Sequence, residues 1–345
     1  MNRSLALLAS LAAVLLVAGC GGGGSGSSGS ANGTTTTASS DVKVGLVTDT
    51  GGLNDRGFNH LAYLGVQQAK QQLGTDFRVF LSNSSSDYIP NLTKFAKLGY
   101  DLTVGVGFTE ADAIDTAATK FPKSKFAIVD VDQTSEPHKP PNLLGLLFKE
   151  QEVGYLAGYL AALEEKRRPG PDVIGSVGGQ KQPPVDRFIA GYQAGAKAAD
   201  PGIKTLNGYS QDFEDQQKCK EIALNQIAQG AGVIFQVAGG CGLGALEAAR
   251  QDKVWGIGVD ADQSFLGPHI LTSATKRVDT AVFLAIKSVV DGKFKGGNVT
   301  YGLKDNGVAL GKISSKVPEA DVKKVQQIRA DIISGKIKDI PTTVK

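Results

Sequence analysis

Short runs of apolar residues alternate along the chain with longer segments in which apolar residues recur at helical spacing. The runs are rich in Val, Ile and Leu and lack in-and-out alternation, a pattern typical of strands that are covered on both faces. The predicted strands are VKVGLVT from residue 42, FRVFLS from 77, LTVGVG from 102, FAIVDV from 126, NLLGLLF from 142, VIGSVG from 173, IKTLNGY from 203, VIFQVAG from 233, WGIGVDA from 255 and ILTSAT from 270.

The segments between these strands are amphipathic. In the first of them, Leu61, Ala69 and Leu73 mark an apolar face, with glutamines and a lysine on the other side. Regular alternation of strand and helix predicts parallel sheets. The strands are too many for one sheet, and the Pro- and Gly-rich stretch EEKRRPGPD at 164–172 follows soon after the fifth. We therefore expect the α/β fold class, with two doubly wound parallel-sheet lobes.

The N-terminus has the pattern of an export signal. Arg3 precedes an apolar run at 4–18, and small residues at 17–19 stand before Cys20, as in bacterial lipoprotein signals. Residues 20–40 follow as a Gly-, Ser- and Thr-rich tether with almost nothing to bury. The prediction is a signal peptide over 1–19, lipidation of Cys20, and anchoring to the extracytoplasmic face of the cell membrane. The alternative is an ordinary secretion signal with a chance cysteine.

Composition argues against several functions. The 345 residues carry 37 basic and 34 acidic side chains without a basic block, so nucleic acid binding has no electrostatic basis. GGCGLG at 239–244 does not match G-x-G-x-x-G, and no phosphate-binding P-loop occurs, so no nucleotide cofactor is expected. The three histidines lack metal-ligand spacing, and no G-x-S-x-G elbow occurs, which predicts neither a metal site nor an enzyme. We expect a monomer.

Two cysteines remain in the folded part. Cys219 lies early in a predicted helix and Cys241 follows the next predicted strand, so both belong near one sheet edge. Outside the cytoplasm such a pair is a candidate disulfide. Two unpaired buried thiols are the alternative.

Polar and aromatic residues follow several predicted strands. Carboxyl ends of parallel strands meet at one edge of a sheet, where ligands of open α/β folds bind. We take the following residues as candidate ligand contacts: Asp49, Asn54, Phe58, Asn59, Asp130, Phe213, Gly239, Asp260 and Lys276.

Each candidate also has a purely structural interpretation. Phe58 and Phe213 each precede a helix and are suited to packing that helix on its sheet. Asn54 and Asp55 are natural helix N-cap residues, and Asp49 and Asp260 are suited to turns. Lys276 begins a predicted helix, where a cation is unfavourable, which favours a functional role. The coincidence of these residues at one edge favours a binding site.

Several longer blocks carry a resemblance to a known family. VGLVTDTGGLNDRGFN, FAIVDVD, FKEQEVGYLAGYLAAL, the region from QDFEDQQKCKEIAL to GGCGLGALEAA, GIGVDADQ and TSATKRVDTAV resemble the basic membrane protein family of substrate-binding lipoproteins, over residues 42–345. The family serves ABC transporters and includes purine nucleoside receptors. The resemblance implies a type I periplasmic-binding-protein fold with a three-stranded hinge and a partner permease. We expect one lobe over 41–147 plus 264–295 and the other over 148–263 plus 296–345.

The resemblance also implies roles for individual residues. In the nucleoside receptors of the family, two aromatic rings sandwich the purine, and these positions are held here by Phe58 and Phe213. The family's other ligand contacts match Asp49, Asp130, Gly239, Asp260 and Lys276. Gly57 stands where serine is commoner, and Cys241 stands where a small or hydroxyl residue is usual, which leaves the base preference open.

The predicted function is therefore capture of a nucleoside, with a purine base, between two lobes that close about a hinge. A sugar or signalling-molecule receptor on the same fold is the competing binding function, since aromatic rings stack on sugars and aspartates accept their hydroxyls. An extracellular nucleosidase with aspartates around a metal is a third class.

Overall fold

The computed structural model describes residues 40–344, so the predicted signal peptide, Cys20 and nearly all of the tether lie outside the described residues. The first half of the chain alternates strand and helix as predicted. Its elements are β1 (Lys43–Thr48), α1 (Phe58–Leu73), β2 (Asp76–Phe80), α2 (Tyr88–Lys97), β3 (Leu102–Val106), α3 (Ala111–Lys120), β4 (Lys125–Val129) and β5 (Leu143–Phe148).

The second half repeats this alternation and ends with shorter strands. Its elements are α4 (Glu150–Glu165), β6 (Val173–Gly178), α5 (Pro183–Ala199), β7 (Lys204–Tyr209), α6 (Gln216–Ala228), β8 (Val233–Val237), α7 (Gly242–Gln251), β9 (Trp255–Asp260), β10 (Ile270–Lys276), α8 (Val278–Val290), β11 (Gly297–Tyr301), β12 (Val308–Leu310) and α9 (Glu319–Ile333).

The strands form two six-stranded sheets, ordered β11-β5-β4-β3-β1-β2 and β12-β10-β9-β8-β6-β7. All described pairings are parallel except that of β10 with β12. Central strands such as β3 and β8 are buried along their whole length, as their continuous apolar sequences predict. We call the part built on the first sheet the first lobe and the part built on the second sheet the second lobe.

The chain crosses between the lobes after β5, after β10 and after β11. At these crossings Lys149 N donates to Tyr301 O at 2.8 Å, and Arg277 N donates to Gly307 O, also at 2.8 Å. These hydrogen bonds join the three crossing segments side by side. The structure thus has the three-stranded hinge that the family resemblance implies.

The predicted lobe boundaries at 264 and 296 are displaced. Strand β10 was assigned to the first lobe, but it pairs with β9 in the second sheet. Strand β11 was assigned to the second lobe, but it pairs in parallel with β5 in the first. The chain therefore crosses after Lys276 and again near Gly302. The short, half-exposed β11 and β12 carry too little apolar pattern to be predicted as strands.

Two further features fix the second lobe. Helices α4 and α5 pack backbone to backbone. A side chain on Gly154 or Gly158 would overlap carbonyl groups of α5, so the close approach requires glycine there. Cys219 and Cys241 form a disulfide, with Cα atoms 5.6 Å apart, and neither residue is exposed. Within residues 40–344, every helix is too short or too polar to cross a membrane.

Candidate functional site

A cavity with about 640 Å³ of empty space, part of it open to solvent, lies between the lobes. Loops that follow strands of both sheets line it, in agreement with the general position of ligand sites in open parallel sheets. The predicted ligand contacts found in its wall are Asp49, Phe58, Asn59, Asp130, Phe213, Gly239, Asp260 and Lys276.

Asn54 is the exception among the predicted contacts. It is exposed and lines a different depression, together with Arg56 and Gln216. Its neighbour Asp55 turns inward instead and is only 6% exposed. The chain reverses direction at this point, with Arg56 in the left-handed conformation at φ 54°, which separates the two side chains. Asn54 therefore lies outside the wall of this cavity, unlike the other predicted contacts.

The turn between β1 and α1 is held by carboxylates. Asp55 accepts hydrogen bonds from the backbone amides of Gly57 at 3.0 Å, Asn59 at 2.6 Å and His60 at 3.2 Å, and so caps α1. Asn59 Nδ2 donates to Asp49 Oδ1 at 2.7 Å. Burial raises the pKa of Asp49 to about 6, although hydrogen bonds from Asn59 and Gly51 oppose the rise. This network places Phe58, the first residue of α1, in the cavity wall.

Each of the two predicted rings comes from a different lobe. Phe58 lies close to Gly107, where a Cβ atom would be 3.2 Å from the ring. Phe213 lies on the loop between β7 and α6, over Gly179, where a Cβ atom would overlap the ring. Both rings remain half-buried and line the same cavity. The absence of a side chain at Gly179 therefore makes room for the ring of Phe213, and Gly107 leaves space beside the ring of Phe58.

A buried charged cluster closes the hinge side of the cavity. We call Lys276, Asp130, Glu150 and Asp260 the hinge cluster. Lys276 Nζ lies 2.7 Å from Asp130 Oδ2, 3.6 Å from Glu150 Oε1 and 3.8 Å from Asp260 Oδ1. The same nitrogen lies 4.8 Å from the centroid of the Phe58 ring. One cation thus contacts carboxylates of both lobes and one of the two rings.

Ionisation in the hinge cluster is set by burial and mutual charge. Burial raises the pKa of Asp260 to about 6 and that of Glu150 to about 7, although attraction to Lys276 opposes both shifts. Burial would lower the pKa of Lys276, but attraction by its carboxylate partners outweighs it and raises that pKa above its usual range. Asp130 Oδ1 and Asp260 Oδ1 are buried and have no hydrogen-bond partner among the described residues. Buried acceptors without a hydrogen bond are uncommon in folded proteins and call for an explanation.

Asp130 and Asp260 occupy equivalent places in the two lobes. Each stands at the carboxyl end of a strand, β4 or β9, and each has a positive φ, 70° and 61° respectively. A left-handed backbone at a residue other than glycine costs free energy and is concentrated at functional sites. The repeated conformation favours a role for both carboxylates in the cavity.

The sequence reasoning missed several residues of the site. Glu150, the first residue of α4, is fully buried in the hinge cluster, and Arg187 Nη1 lies 3.4 Å from its second oxygen. Gln182, Val185 and Phe188 add a wall from the loop after β6 and from α5. The loop after β6 is itself a strand end, so Gln182 carried the same signal as the other candidates. Glu150 had no such sequence signal, because it reaches the cluster only through the crossing of the chain between the lobes.

Two lobes joined by a three-stranded hinge, with a cavity at the strand ends between them, define a periplasmic-type substrate-binding protein. The sequence matches the model of the Bmp family, described as ABC transporter substrate-binding protein PnrA-like, over residues 42–342. The chain belongs to this family and is an ABC transporter substrate-binding protein.

Individual relatives agree with this assignment. The ABC transporter nucleoside-binding protein BmpA of Lactococcus lactis subsp. cremoris is 38% identical over 95% of each chain. An uncharacterized lipoprotein of Pyrococcus horikoshii is 36% identical, over 87% of this chain and 80% of its own. Among solved structures, an ABC transporter solute-binding protein from Aeropyrum pernix K1 has a TM-score of 0.79 and 29% identity, over 87% of this chain and 94% of that one. These relatives are named as binding proteins or lipoproteins and not as enzymes.

Proposed function

We propose that this substrate-binding protein is a lipid-anchored extracytoplasmic receptor. It binds a nucleoside with a purine base between its lobes and presents it, as a monomer, to an ABC permease. The observation that carries the proposal is that Phe58 and Phe213, from opposite lobes, line one cavity together with Asp130, Asp260 and Lys276 of the hinge cluster. Anchoring through Cys20 is supported by the sequence around that residue and by relatives named as lipoproteins.

The rings and the carboxylates suit different parts of a nucleoside. Offset stacking of a planar base on each ring would contribute about 0.5–1.5 kcal/mol beyond the burial of apolar surface. Asp260 and Asp130 present unpartnered buried oxygens that can accept hydrogen bonds from the sugar hydroxyls. Asp49 lies beside the ring of Phe58 and suits the N–H groups of the base edge. A ligand without such hydroxyls would leave buried carboxylate oxygens unpaired and is therefore rejected.

The charge of the cavity also limits the ligand. Asp49, Asp55 and Asp260 line it, whereas Lys276 is already surrounded by carboxylates. A phosphate group would meet these carboxylates at short range, so the uncharged nucleoside is favoured over its phosphorylated forms.

Titration calorimetry with inosine, guanosine, adenosine and ribose tests the proposal. Binding of at least one purine nucleoside, with free ribose much weaker, is the expected result. Phe58→Ala and Asp260→Ala should each weaken binding roughly tenfold or more, since they remove a stacking surface and a hydroxyl acceptor. Phe265→Ala is the matched control, because that ring is 61% exposed.

Four outcomes would contradict the proposal. Silence from every nucleoside would remove its ligand class. Binding of ribose or galactose in place of nucleosides would indicate a sugar receptor. Release of free base from inosine on prolonged incubation would indicate a nucleosidase. Unchanged affinity in both the Phe58 and the Asp260 variants would show that these residues serve only the packing of their own lobes.

A further inference from the structure

Cys241 makes two contacts that hold the loop of Phe213 to the second lobe. The backbone N–H of Cys241 donates to the carbonyl oxygen of Phe213 at 2.9 Å. The side chain of Cys241 is bonded to Cys219, in the first turn of α6. The segment 213–219, which carries the ring and enters the helix, is thus held at both of its ends by Cys241.

The turn that carries Cys241 is itself part of the cavity wall. Gly239 and Gly240 both line the cavity, and Gly239 has a φ of 55°. Side chains at either glycine would approach the carbonyl oxygen of Phe213 to 3.4 Å, so the turn lies directly against the backbone of Phe213. A shift of this turn therefore moves one wall of the cavity and the support of its ring at the same time.

Upstream of Phe213, Gln211 N donates to Gly179 O at 3.1 Å and ties the start of the loop to the end of β6. The side-chain contacts of the loop beyond that point are weaker. Asp212 Oδ2 lies 2.7 Å from Lys218 Nζ, but the two side chains are 27% and 51% exposed, and exposed ion pairs of this kind stabilise little. Asp212 Oδ1 also accepts from the backbone N–H of Glu214 at 2.9 Å, which is a contact within the loop. Neither contact joins the loop to the turn at 239–241. The disulfide is the covalent link between them, and it is completely buried.

We propose that Cys219 and Cys241 are positioning residues for ligand binding: their disulfide holds Phe213 and the Gly239–Gly240 turn in the geometry that receives the base. The inference rests on the proposed nucleoside function. It assigns to the disulfide an effect on affinity as well as on stability. Without the bridge, the ring must be ordered when the ligand binds, and the cost of ordering one side chain and its loop weakens binding by about three- to tenfold.

A double-mutant cycle in calorimetry with inosine separates positioning from general stabilisation. Cys219→Ala breaks the disulfide. The double variant Cys219→Ala/Cys241→Ala should have the same affinity as the single variant. We expect Cys219→Ala to weaken binding by about three- to tenfold in the wild-type background and by less than about twofold in Phe213→Ala, where the ring is already absent. In Phe58→Ala, the matched control in the first lobe, the full effect should remain. An equal loss of affinity in the wild-type, Phe213→Ala and Phe58→Ala backgrounds overturns the inference, and so does the absence of any loss in all three.

Hydrogen exchange on the ligand-free protein gives a test that needs no nucleoside. Loss of the bridge should speed exchange in peptides covering 212–218 and 239–243, while those covering 57–63 in the first lobe stay unchanged. Unchanged exchange at 212–218 overturns the inference, and so does faster exchange without loss of affinity. If the wild-type protein binds no nucleoside, the proposed function fails, and the exchange data still decide whether the bridge fixes the loop.

Discussion

The two lobes each contribute one aromatic ring to the cavity, but they support it by different means. In the first lobe, Phe58 begins a helix whose first amides donate hydrogen bonds to the carboxylate of Asp55. These donors are close to Asp55 in sequence. In the second lobe, Phe213 lies on a loop whose firm attachment, Cys241, is distant in sequence. One ring is thus supported by local hydrogen bonds, and the other by a hydrogen bond from a distant residue that a disulfide joins to the following helix.

The two kinds of support should respond differently to substitution and to pH. Hydrogen bonds to a carboxylate depend on its charge and can be removed by a single substitution at the turn. A disulfide restricts the chain whatever the pH and acts on residues far apart along it. We therefore expect ligand affinity to be sensitive to the loss of the helix cap beside Phe58, and insensitive to the loss of the cap beside Phe213.

The two lobes share the hinge cluster, in which the charge of Lys276 balances carboxylates from both lobes. Lys276→Met would leave Asp130, Glu150 and Asp260 buried together without a counter-charge. Breaking a buried ion pair in this way is expected to lower the free energy of unfolding by about 3–5 kcal/mol. Chemical denaturation of the ligand-free protein measures it. Lys123→Met, at an exposed lysine, is the control and should change stability by less than about 0.5 kcal/mol. Equal small changes in both variants would show that the lobes do not share this cation.

The sequence predicted the local parts of the fold well. Buried strands such as β3 and β8 have continuous apolar runs, and the N-cap at the start of α1 follows from the residue types there. The positions of the hinge crossings depend on pairings between distant strands, β9 with β10 and β5 with β11, which no local pattern encodes. That is why the lobe boundaries were displaced although the strand ILTSAT itself was predicted.

The same distinction applies to the cavity. Residues that directly follow a strand, such as Asp49 and Asp130, were found because strand ends meet at one edge. Asn54 lies outside the cavity and Asp55 lines it, and sequence cannot tell which of two adjacent polar residues turns inward. Glu150 was missed because its position follows from the hinge, and the support of Phe213 by Cys241 was missed because it depends on a tertiary contact.

Acid should affect binding and stability in opposite senses. Asp49 in the first lobe and Asp260 in the second both have a pKa near 6, raised by burial from an ordinary value of 3.8. If a carboxylate must be ionised to accept from the ligand, affinity falls about tenfold from pH 7 to pH 5. Because the folded state holds these protons more tightly than the unfolded chain, the contribution of the two groups to stability rises over the same change.

Calorimetry and thermal unfolding at pH 5, 6 and 7 measure these two trends. Asp49→Asn and Asp260→Asn show which lobe controls the response, because each removes one of the two titrating carboxylates. We expect the pH dependence of affinity to decrease most in Asp260→Asn, since Asp260 lines the cavity and its Oδ1 has no hydrogen-bond partner among the described residues. An affinity that is constant from pH 7 to pH 5 would contradict an ionised acceptor in either lobe.

The smallest expected effects compare the two helix caps beside the rings. Asp55→Ala removes the acceptor for three amides of α1, and Asp215→Ala removes the acceptor for the amide of Gln217 at the start of α6. Each should lower the free energy of unfolding by about 1 kcal/mol. Affinity should fall about threefold in Asp55→Ala, because Phe58 loses its support, yet stay within about twofold in Asp215→Ala, because Phe213 is still held by Cys241. Denaturation and calorimetry on both variants test this, and an equal loss of affinity would mean that both rings depend on their caps alike.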